Sequence, residues 1–188
     1  MLSGLILAGG RSSRMGRDKA SLTLPDGRTL LERQVDILRA AGVTTVFASL
    51  PPGRDIALPG VTPVWDAVPE TGPLGGIAAG LRAAPAGLLL VLAVDMPGIQ
   101  AAHLRKLVEL ASPQRGVVPL MTGQCEPLAA IYPTFLAGAA DEALADGDRA
   151  VHAWVRTQAE LGKLLLWEAA AEWSDAFRSW NTPGDFSP

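Results

Sequence analysis

The chain has 188 residues, of which 48% are hydrophobic and 19% are charged, and its formal net charge is −3. This composition is typical of one globular domain, and it excludes an intrinsically disordered chain. The acidic balance argues against a nucleic-acid-binding surface, and the single cysteine excludes an internal disulfide and indicates a reducing, cytoplasmic compartment. The apolar N-terminus lacks a basic start, and no apolar run is long enough to span a bilayer. We therefore expect neither a signal peptide nor a membrane segment.

Strand-like and helix-like apolar patterns alternate along the whole chain. In chain order they predict a strand over 5–8, a helix over 29–41, strands over 43–49 and 61–65, a helix over 75–84, a strand over 87–94, a helix over 101–111, strands over 116–120 and 126–132, helices over 133–145 and 150–159, and strands over 161–167 and 177–180. Thr29, with Glu32 three residues later, predicts the start of the first helix, and Gly42 predicts its end. The alternation favours an α/β three-layer sandwich with a mostly parallel, Rossmann-like sheet.

A glycine-rich basic loop follows the first predicted strand, between Leu7 and Lys19. Gly9 and Gly10 let the backbone turn sharply and approach a ligand, and successive N–H groups there can bind phosphate oxygens. Three arginines and a lysine add cationic partners, and ligands of open α/β sheets bind beyond the carboxyl ends of the strands. The loop matches neither a Walker A loop nor Gly-x-Gly-x-x-Gly. On pattern alone, phosphate binding and a solvated basic loop both stay open.

Two aspartates follow predicted strands at the ligand edge of the sheet. Asp95 ends the most apolar strand, where a carboxylate can bind Mg²⁺ together with substrate phosphates. Pro97 nearby is equally compatible with a turn or helix-capping role for Asp95. Asp66 precedes a Gly-Pro-Leu-Gly-Gly segment at 72–76 that leads into a helix, and the alternative for Asp66 is a surface turn.

The order of residues from Leu7 to Ala20 closely resembles the signature of the molybdenum cofactor guanylyltransferases, a nucleotidyltransferase family. The resemblance covers almost the whole chain, is most specific over the first 20 residues and weakest after Asp95. It implies a fold of the nucleotide-diphospho-sugar transferase type, GTP and molybdopterin as substrates, Mg²⁺ as cofactor, and transfer of GMP to molybdenum-bound molybdopterin. The implied site residues are Leu7, Ala8, Gly9 and Gly10 at the triphosphate, the catalytic Arg14 and Lys19 on phosphate oxygens, Asp66 at the nucleotide, Leu74 and Gly75 at the base or ribose, the catalytic Asp95 at the metal, and Asn181 at molybdopterin.

The resemblance also divides the single domain over 1–188 into a nucleotide-binding half, 1–100, and an acceptor-binding half, 101–188. Segments 126–132, 147–150 and 177–186 resemble parts of the family's acceptor side. We expect a monomer that makes transient contacts with molybdenum-insertion proteins and molybdoenzymes. We expect no covalent intermediate, because an ionised acceptor phosphate can attack the α-phosphorus of the nucleotide directly, without a general base.

Two positions depart from the family pattern. Ala48 or Ser49 stands where the family has an asparagine near the nucleoside, and Ser179 replaces one of the paired C-terminal asparagines. These changes leave two alternatives open: a cytidylyltransferase acting on the same cofactor, and a non-catalytic nucleotide-binding relative. The Gly9–Gly10 pair favours guanine, since cytidylyl enzymes of this kind carry Ala-Ala-Gly loops.

The remaining nucleophilic and titratable side chains have no catalytic pattern. The sequence identifies no histidine partner for Cys125, so we do not interpret Cys125 as a catalytic nucleophile. His103 and His152 stand singly at helical spacing and are interpreted as structural or surface residues. Trp180 is a candidate for stacking on the pterin, and the other tryptophans are expected to serve in packing.

Overall fold

A computed structural model describes residues 1–9, 22–51, 53–56, 58–66 and 71–180. The elements within these residues are β1 (Leu2–Leu7), α1 (Leu30–Ala40), β2 (Thr45–Leu50), β3 (Val61–Trp65), α2 (Gly72–Ala83), β4 (Leu88–Ala93), α3 (Ala101–Leu110), β5 (Gly116–Met121), β6 (Gln124–Cys125), β7 (Ala129–Pro133), α4 (Ala137–Ala145), α5 (Val151–Glu160) and β8 (Leu164–Glu168). Two short 3₁₀ helices cover Thr134–Leu136 and Ala171–Trp173. No helix in these described stretches is long and apolar enough to cross a membrane.

The strands form one open sheet in the order β3-β2-β1-β4-β7-β5-β6, with β8 paired to β5. Strands β3, β2, β1 and β4 run parallel, whereas β7 pairs antiparallel with both β4 and β5. Strands β5 and β8 therefore run in the same direction as β4. The predicted mostly parallel sheet is confirmed, and the carboxyl ends of β1, β2, β4 and β5 share one edge.

Each face of the sheet carries its own apolar core, because successive side chains of a strand point to opposite faces. In β4, Leu90 and Leu92 pack with α1 and α3, while Leu89 and Val91 pack with α2, α4 and α5. All four side chains are fully buried. The sheet thus lies between two helical layers, which confirms the predicted three-layer sandwich.

Local chemistry explains where the elements begin and end. Thr29 and Glu32 form a reciprocal capping box at the start of α1, as predicted. Helix α2 begins at Gly72, three residues earlier than predicted, because Pro73 in its first turn has no N–H to leave unpaired. The predicted strand over 126–132 is wrong in its first part: Pro127 cannot donate to a ladder, and the strand proper begins at Ala129.

Two further boundary predictions fail near the C-terminus of the fold. The predicted helix over 133–145 begins as a 3₁₀ turn and becomes α-helical only at Ala137. The predicted strand over 177–180 is not a strand in the structure, because this segment packs against the loop after β4 and not beside a strand.

Candidate functional site

The ends of β1 and β4 lie side by side at the carboxyl edge of the sheet. Leu7 is paired with Ala93 in the parallel register, and the N–H of Val94 donates to the carbonyl oxygen of Leu7 at 3.2 Å. The chain therefore leaves the sheet at neighbouring points, toward Gly9 on one strand and toward Asp95 on the other. This brings the start of the predicted phosphate loop next to the predicted metal ligand. Gly10, Arg14 and Lys19 lie outside the described residues.

Gly9 is the first exposed residue after β1, whereas Leu7 and Ala8 are buried. The N–H of Ala8 donates to the carbonyl oxygen of Ser49 at 3.1 Å, so it extends the hydrogen bonding of the sheet. A methyl group added at Gly9 would lie 3.6 Å from its nearest described neighbour, the Ser49 oxygen, which is an ordinary contact. Packing among the described residues therefore does not require glycine at position 9. A ligand that approaches the backbone closely would require it.

Asp95 lies in a loop, residues 94–98, that we call the carboxylate loop. Asp95 is half-buried, and its backbone carbonyl oxygen accepts a hydrogen bond from the N–H of Trp180 at 2.8 Å. From α1, the buried side-chain amide of Gln34 donates to the Met96 carbonyl oxygen at 2.9 Å. Sequence reasoning missed Gln34, although a lone amide among leucines on the apolar face of a helix was a readable signal.

The C-terminal segment, residues 174–180, packs directly on the carboxylate loop. A methyl group added at Gly98 would lie 2.3 Å from the carbonyl oxygen of Asp175, so only glycine allows this approach. Ser179 and Trp180 are thereby brought to the same edge as Asp95. Asn181 comes next in the chain and lies outside the described residues.

Asp66 forms a small polar cluster with the residues that start α2. The Thr71 hydroxyl donates to Asp66 Oδ2 at 3.2 Å, whereas Asp66 Oδ1 is buried with no hydrogen-bond partner among the described residues. Desolvation raises the pKa of Asp66, and this is partly offset by the Thr71 hydrogen bond and by Arg82. An unpaired buried carboxylate oxygen is costly and favours a ligand that donates to it.

Gly75 makes room for this cluster. A methyl group there would lie 1.8 Å from Thr71 Oγ1 and 2.8 Å from Asp66 Oδ2, so any side chain would displace both. Leu74, the other residue predicted to line a base or ribose pocket, is fully buried in the core. Its side chain packs within the protein, so that role would fall to its backbone.

The segment before β7 reaches the same edge because β7 runs antiparallel to β4. The N–H of Ala93 donates to the Leu128 carbonyl oxygen at 2.7 Å. Two residues earlier, Glu126 is half-buried, and desolvation raises its pKa. The predicted acceptor segment over 126–132 therefore begins next to the carboxylate loop.

The interpretation that Cys125 and His152 stand singly was wrong. Cys125 Sγ lies 3.2 Å from His152 Nδ1, which joins the β5–β6 hairpin to α5. Burial raises the pKa of the Cys125 thiol, so it stays protonated and is no activated nucleophile. His103 makes local packing contacts: its Nδ1 accepts from the Gln100 N–H, and its ring packs on Trp173.

The donor chemistry at Asp95 suits a hard divalent cation. The described residues contain no cluster of three or more His, Cys, Asp or Glu side chains that could enclose a metal. Asp95 offers such a cation one carboxylate, and Mg²⁺ bound with phosphates usually completes its shell with water and ligand oxygens.

A family model described as the MobA-like NTP transferase domain matches residues 4–162, most of the chain. The chain belongs to this family. The MobA-like family comprises nucleotidyltransferases, which generally use a divalent metal.

Named relatives and a solved structure extend the comparison. A protein of Opitutus terrae named "Probable molybdenum cofactor guanylyltransferase" is 38% identical over 187 residues, covering 98% of this chain and 92% of the relative. A protein of the same name from Mycobacterium tuberculosis is 41% identical over 159 residues, covering 82% and 79%. The structure of molybdopterin-guanine dinucleotide biosynthesis protein A from Archaeoglobus fulgidus superposes with a TM-score of 0.71 at 25% identity, covering 99% of this chain and 94% of the other.

Proposed function

We propose that the protein transfers GMP from GTP to molybdenum-bound molybdopterin, forming molybdopterin guanine dinucleotide and pyrophosphate. One observation carries this proposal: the exposed Gly9 and the half-buried Asp95 leave the sheet from paired strands, tied by the Val94–Leu7 hydrogen bond. A triphosphate at the glycine turn would lie next to a carboxylate able to hold its cation. The names of the two relatives support GTP as the donor and molybdopterin as the acceptor.

The transfer is a single in-line displacement. An oxygen of the acceptor's phosphate attacks the α-phosphorus of GTP, and pyrophosphate leaves. That phosphate is largely ionised at neutral pH, so no general base is needed and the residues act by position and charge. Backbone N–H groups at Gly9 and Gly10, with Arg14 and Lys19, bind the triphosphate, and Lys19 offsets charge on the leaving pyrophosphate.

Asp95 is the residue proposed to hold Mg²⁺. When bound, Mg²⁺ neutralises phosphate charge and acts as a template for the displacement. Asp66 would bind the nucleoside, since its buried Oδ1 has no hydrogen-bond donor among the described residues. Guanine presents such donors at its ring N–H and amino groups, and the ribose presents hydroxyls.

Two segments of the acceptor-binding half, residues 101–188, would form the molybdopterin site. Glu126 and the segment before β7 approach the carboxylate loop from one side, and the C-terminal segment leading to Asn181 approaches it from another. Molybdopterin would bind between them, with its phosphate toward Asp95. We further propose a cytoplasmic monomer that exchanges molybdopterin by transient contacts with molybdenum-insertion proteins and molybdoenzymes.

The test is pyrophosphate release from the purified protein mixed with Mg²⁺, molybdenum-bound molybdopterin and each of the four nucleoside triphosphates in turn. The expected result is release that requires the acceptor and is fastest with GTP. Preferential use of CTP would identify a cytidylyltransferase instead. Nucleotide binding without release for any of the four would identify a non-catalytic relative and refute the proposal.

A further inference from the structure

Gln34 occupies a position on α1 where an apolar residue would be expected. The other buried side chains of this helix are all apolar: Leu30, Leu31, Val35 and Leu38. Gln34 is 0% exposed, so its amide has left water completely. A buried amide is costly unless its hydrogen bonds are made within the protein.

The amide nitrogen of Gln34 meets three backbone carbonyl oxygens at the end of β4. Nε2 lies 2.9 Å from Met96 O, 3.3 Å from Val94 O and 3.4 Å from Ala93 O. The Met96 bond is the shortest of the three and therefore the strongest. Because an NH₂ group has only two hydrogens, the Val94 and Ala93 oxygens share the second hydrogen. The carbonyls of Val94 and Met96 flank Asp95 on either side.

Backbone hydrogen bonds also hold the carboxylate loop. The N–H of Val94 donates to Leu7 O, and the carbonyl oxygen of Asp95 accepts from Trp180. Gln34 supplies the side-chain contacts that flank Asp95 from the helical layer. Because β4 ends at Ala93, an apolar residue at position 34 would leave buried carbonyls without these partners.

We propose that Gln34 is a positioning residue for the metal site: it fixes the backbone around Asp95 so that the carboxylate is held ready for a divalent cation. This inference rests on the metal role of Asp95 in the proposed function. Groups that orient metal ligands through hydrogen bonds commonly change metal affinity by about 10–100-fold when they are removed.

Gln158 provides a matched control. It is also a buried glutamine on a helix, α5, and its Oε1 has no hydrogen-bond partner among the described residues. Gln34→Met and Gln158→Met make the same nearly volume-conserving change in the two helical layers. Gln34→Asn keeps the amide but shortens its reach by one methylene, and it serves if Gln34→Met does not fold.

The experiment titrates Mn²⁺ alone into each folded variant, without nucleotide, and follows free Mn²⁺ by electron paramagnetic resonance. Circular dichroism gives the folded fraction, and Asp95→Asn identifies the binding that depends on the carboxylate. We expect Gln34→Met, or Gln34→Asn in its place, to weaken Asp95-dependent Mn²⁺ binding by about tenfold or more. Gln158→Met should bind Mn²⁺ like the wild type.

Each outcome decides a separate point. Unchanged Mn²⁺ affinity in the Gln34 variant, with binding still dependent on Asp95, would overturn the positioning role and leave the proposed function intact. Equal weakening by Gln158→Met would also overturn it, since the effect would then be general loss of packing. Wild-type binding that is absent or insensitive to Asp95→Asn would overturn the proposed metal site and this inference together.

Discussion

The N–H of Trp180 donates to the carbonyl oxygen of Asp95 at 2.8 Å, so the end of the C-terminal segment is bonded to the residue proposed to hold the metal. Earlier in that segment, the Asp175 carbonyl oxygen lies against Gly98 at a distance that excludes a side chain. These contacts fix residues 174–180 at the carboxylate loop. An acceptor bound by this segment would therefore lie near the metal.

Gly98→Ala should detach the C-terminal segment from the carboxylate loop, because the added methyl group meets backbone and not a flexible side chain. We expect a loss of about 1–3 kcal/mol of stability from overpacking. We also expect a larger rise in KM for molybdopterin than for GTP. Thermal unfolding and steady-state kinetics measure both effects.

The control for this substitution is Gly138→Ala on α4, where an added methyl group has nothing within 4 Å. That change should be neutral or stabilise the protein by up to about 1 kcal/mol, since alanine is the better helix former. If Gly98→Ala behaved like Gly138→Ala in both stability and KM, the C-terminal segment would have no part in acceptor binding.

Gly9→Ala should impair the use of GTP without changing the stability of the fold. The nearest described atom would be 3.6 Å from the new methyl group, so the free energy of unfolding should change by no more than about 0.5 kcal/mol. A phosphate packed against the Gly9 backbone would be displaced, and kcat/KM for GTP should fall about tenfold or more. Normal GTP kinetics in this variant would mean that the triphosphate does not approach Gly9.

Asp66→Asn should stabilise the protein at neutral pH while weakening the use of GTP. Desolvation raises the pKa of Asp66 in the folded state above its unfolded value near 3.8, so the folded protein holds the proton more tightly. The charged carboxylate therefore costs stability at neutral pH. That cost disappears as the pH falls through the folded pKa toward 3.8.

The corresponding measurement is the difference in free energy of unfolding between Asp66→Asn and wild type as a function of pH. The variant should be the more stable at pH 7, and its advantage should vanish in the acid range, while KM for GTP rises about tenfold. Asp55→Asn, at an exposed carboxylate, is the control and should change neither quantity. A variant less stable than wild type at pH 7 would show that Asp66 is paired in the free protein.

Cys125→Ser should transfer GMP at the wild-type rate. Burial raises the pKa of the Cys125 thiol, and a serine hydroxyl can still form a hydrogen bond with His152 Nδ1. Loss of a covalent nucleophile would instead lower turnover by several orders of magnitude. Pyrophosphate release by the two proteins, compared at equal folded fraction, distinguishes a structural link from a catalytic pair.

The fold was largely predictable because apolar periodicity and glycine positions are local signals. The buried run of β4, the Thr29–Glu32 capping box and the strand at Val61–Trp65 were all readable from the sequence. The boundaries that failed depend on tertiary contacts. The segment over 177–180 forms no strand because its partner is the carboxylate loop, which the sequence does not place beside it.

The sequence predicted which chain positions form the candidate site, but not the contacts that support it. The resemblance to a known family predicted the roles of the glycine turn and both aspartates, and those roles stay predictions. It did not identify Gln34 under the carboxylate loop or the thiol–imidazole contact between Cys125 and His152. Residues separated by 62 and 27 positions meet in these pairs, and no local pattern connects them.

The most direct test of the central claim is a crystal structure of the protein with GTP and Mn²⁺, in wild-type and Asp95→Asn forms, with the metal located by anomalous scattering. The wild type should show Mn²⁺ coordinated by the Asp95 carboxylate and by oxygens of a triphosphate that lies along the Gly9 backbone. The variant should lose the metal peak and, in solution, about 100-fold in turnover, which corresponds to about 3 kcal/mol of transition-state stabilisation. A triphosphate bound away from Gly9, or a metal that does not touch Asp95, would contradict the account.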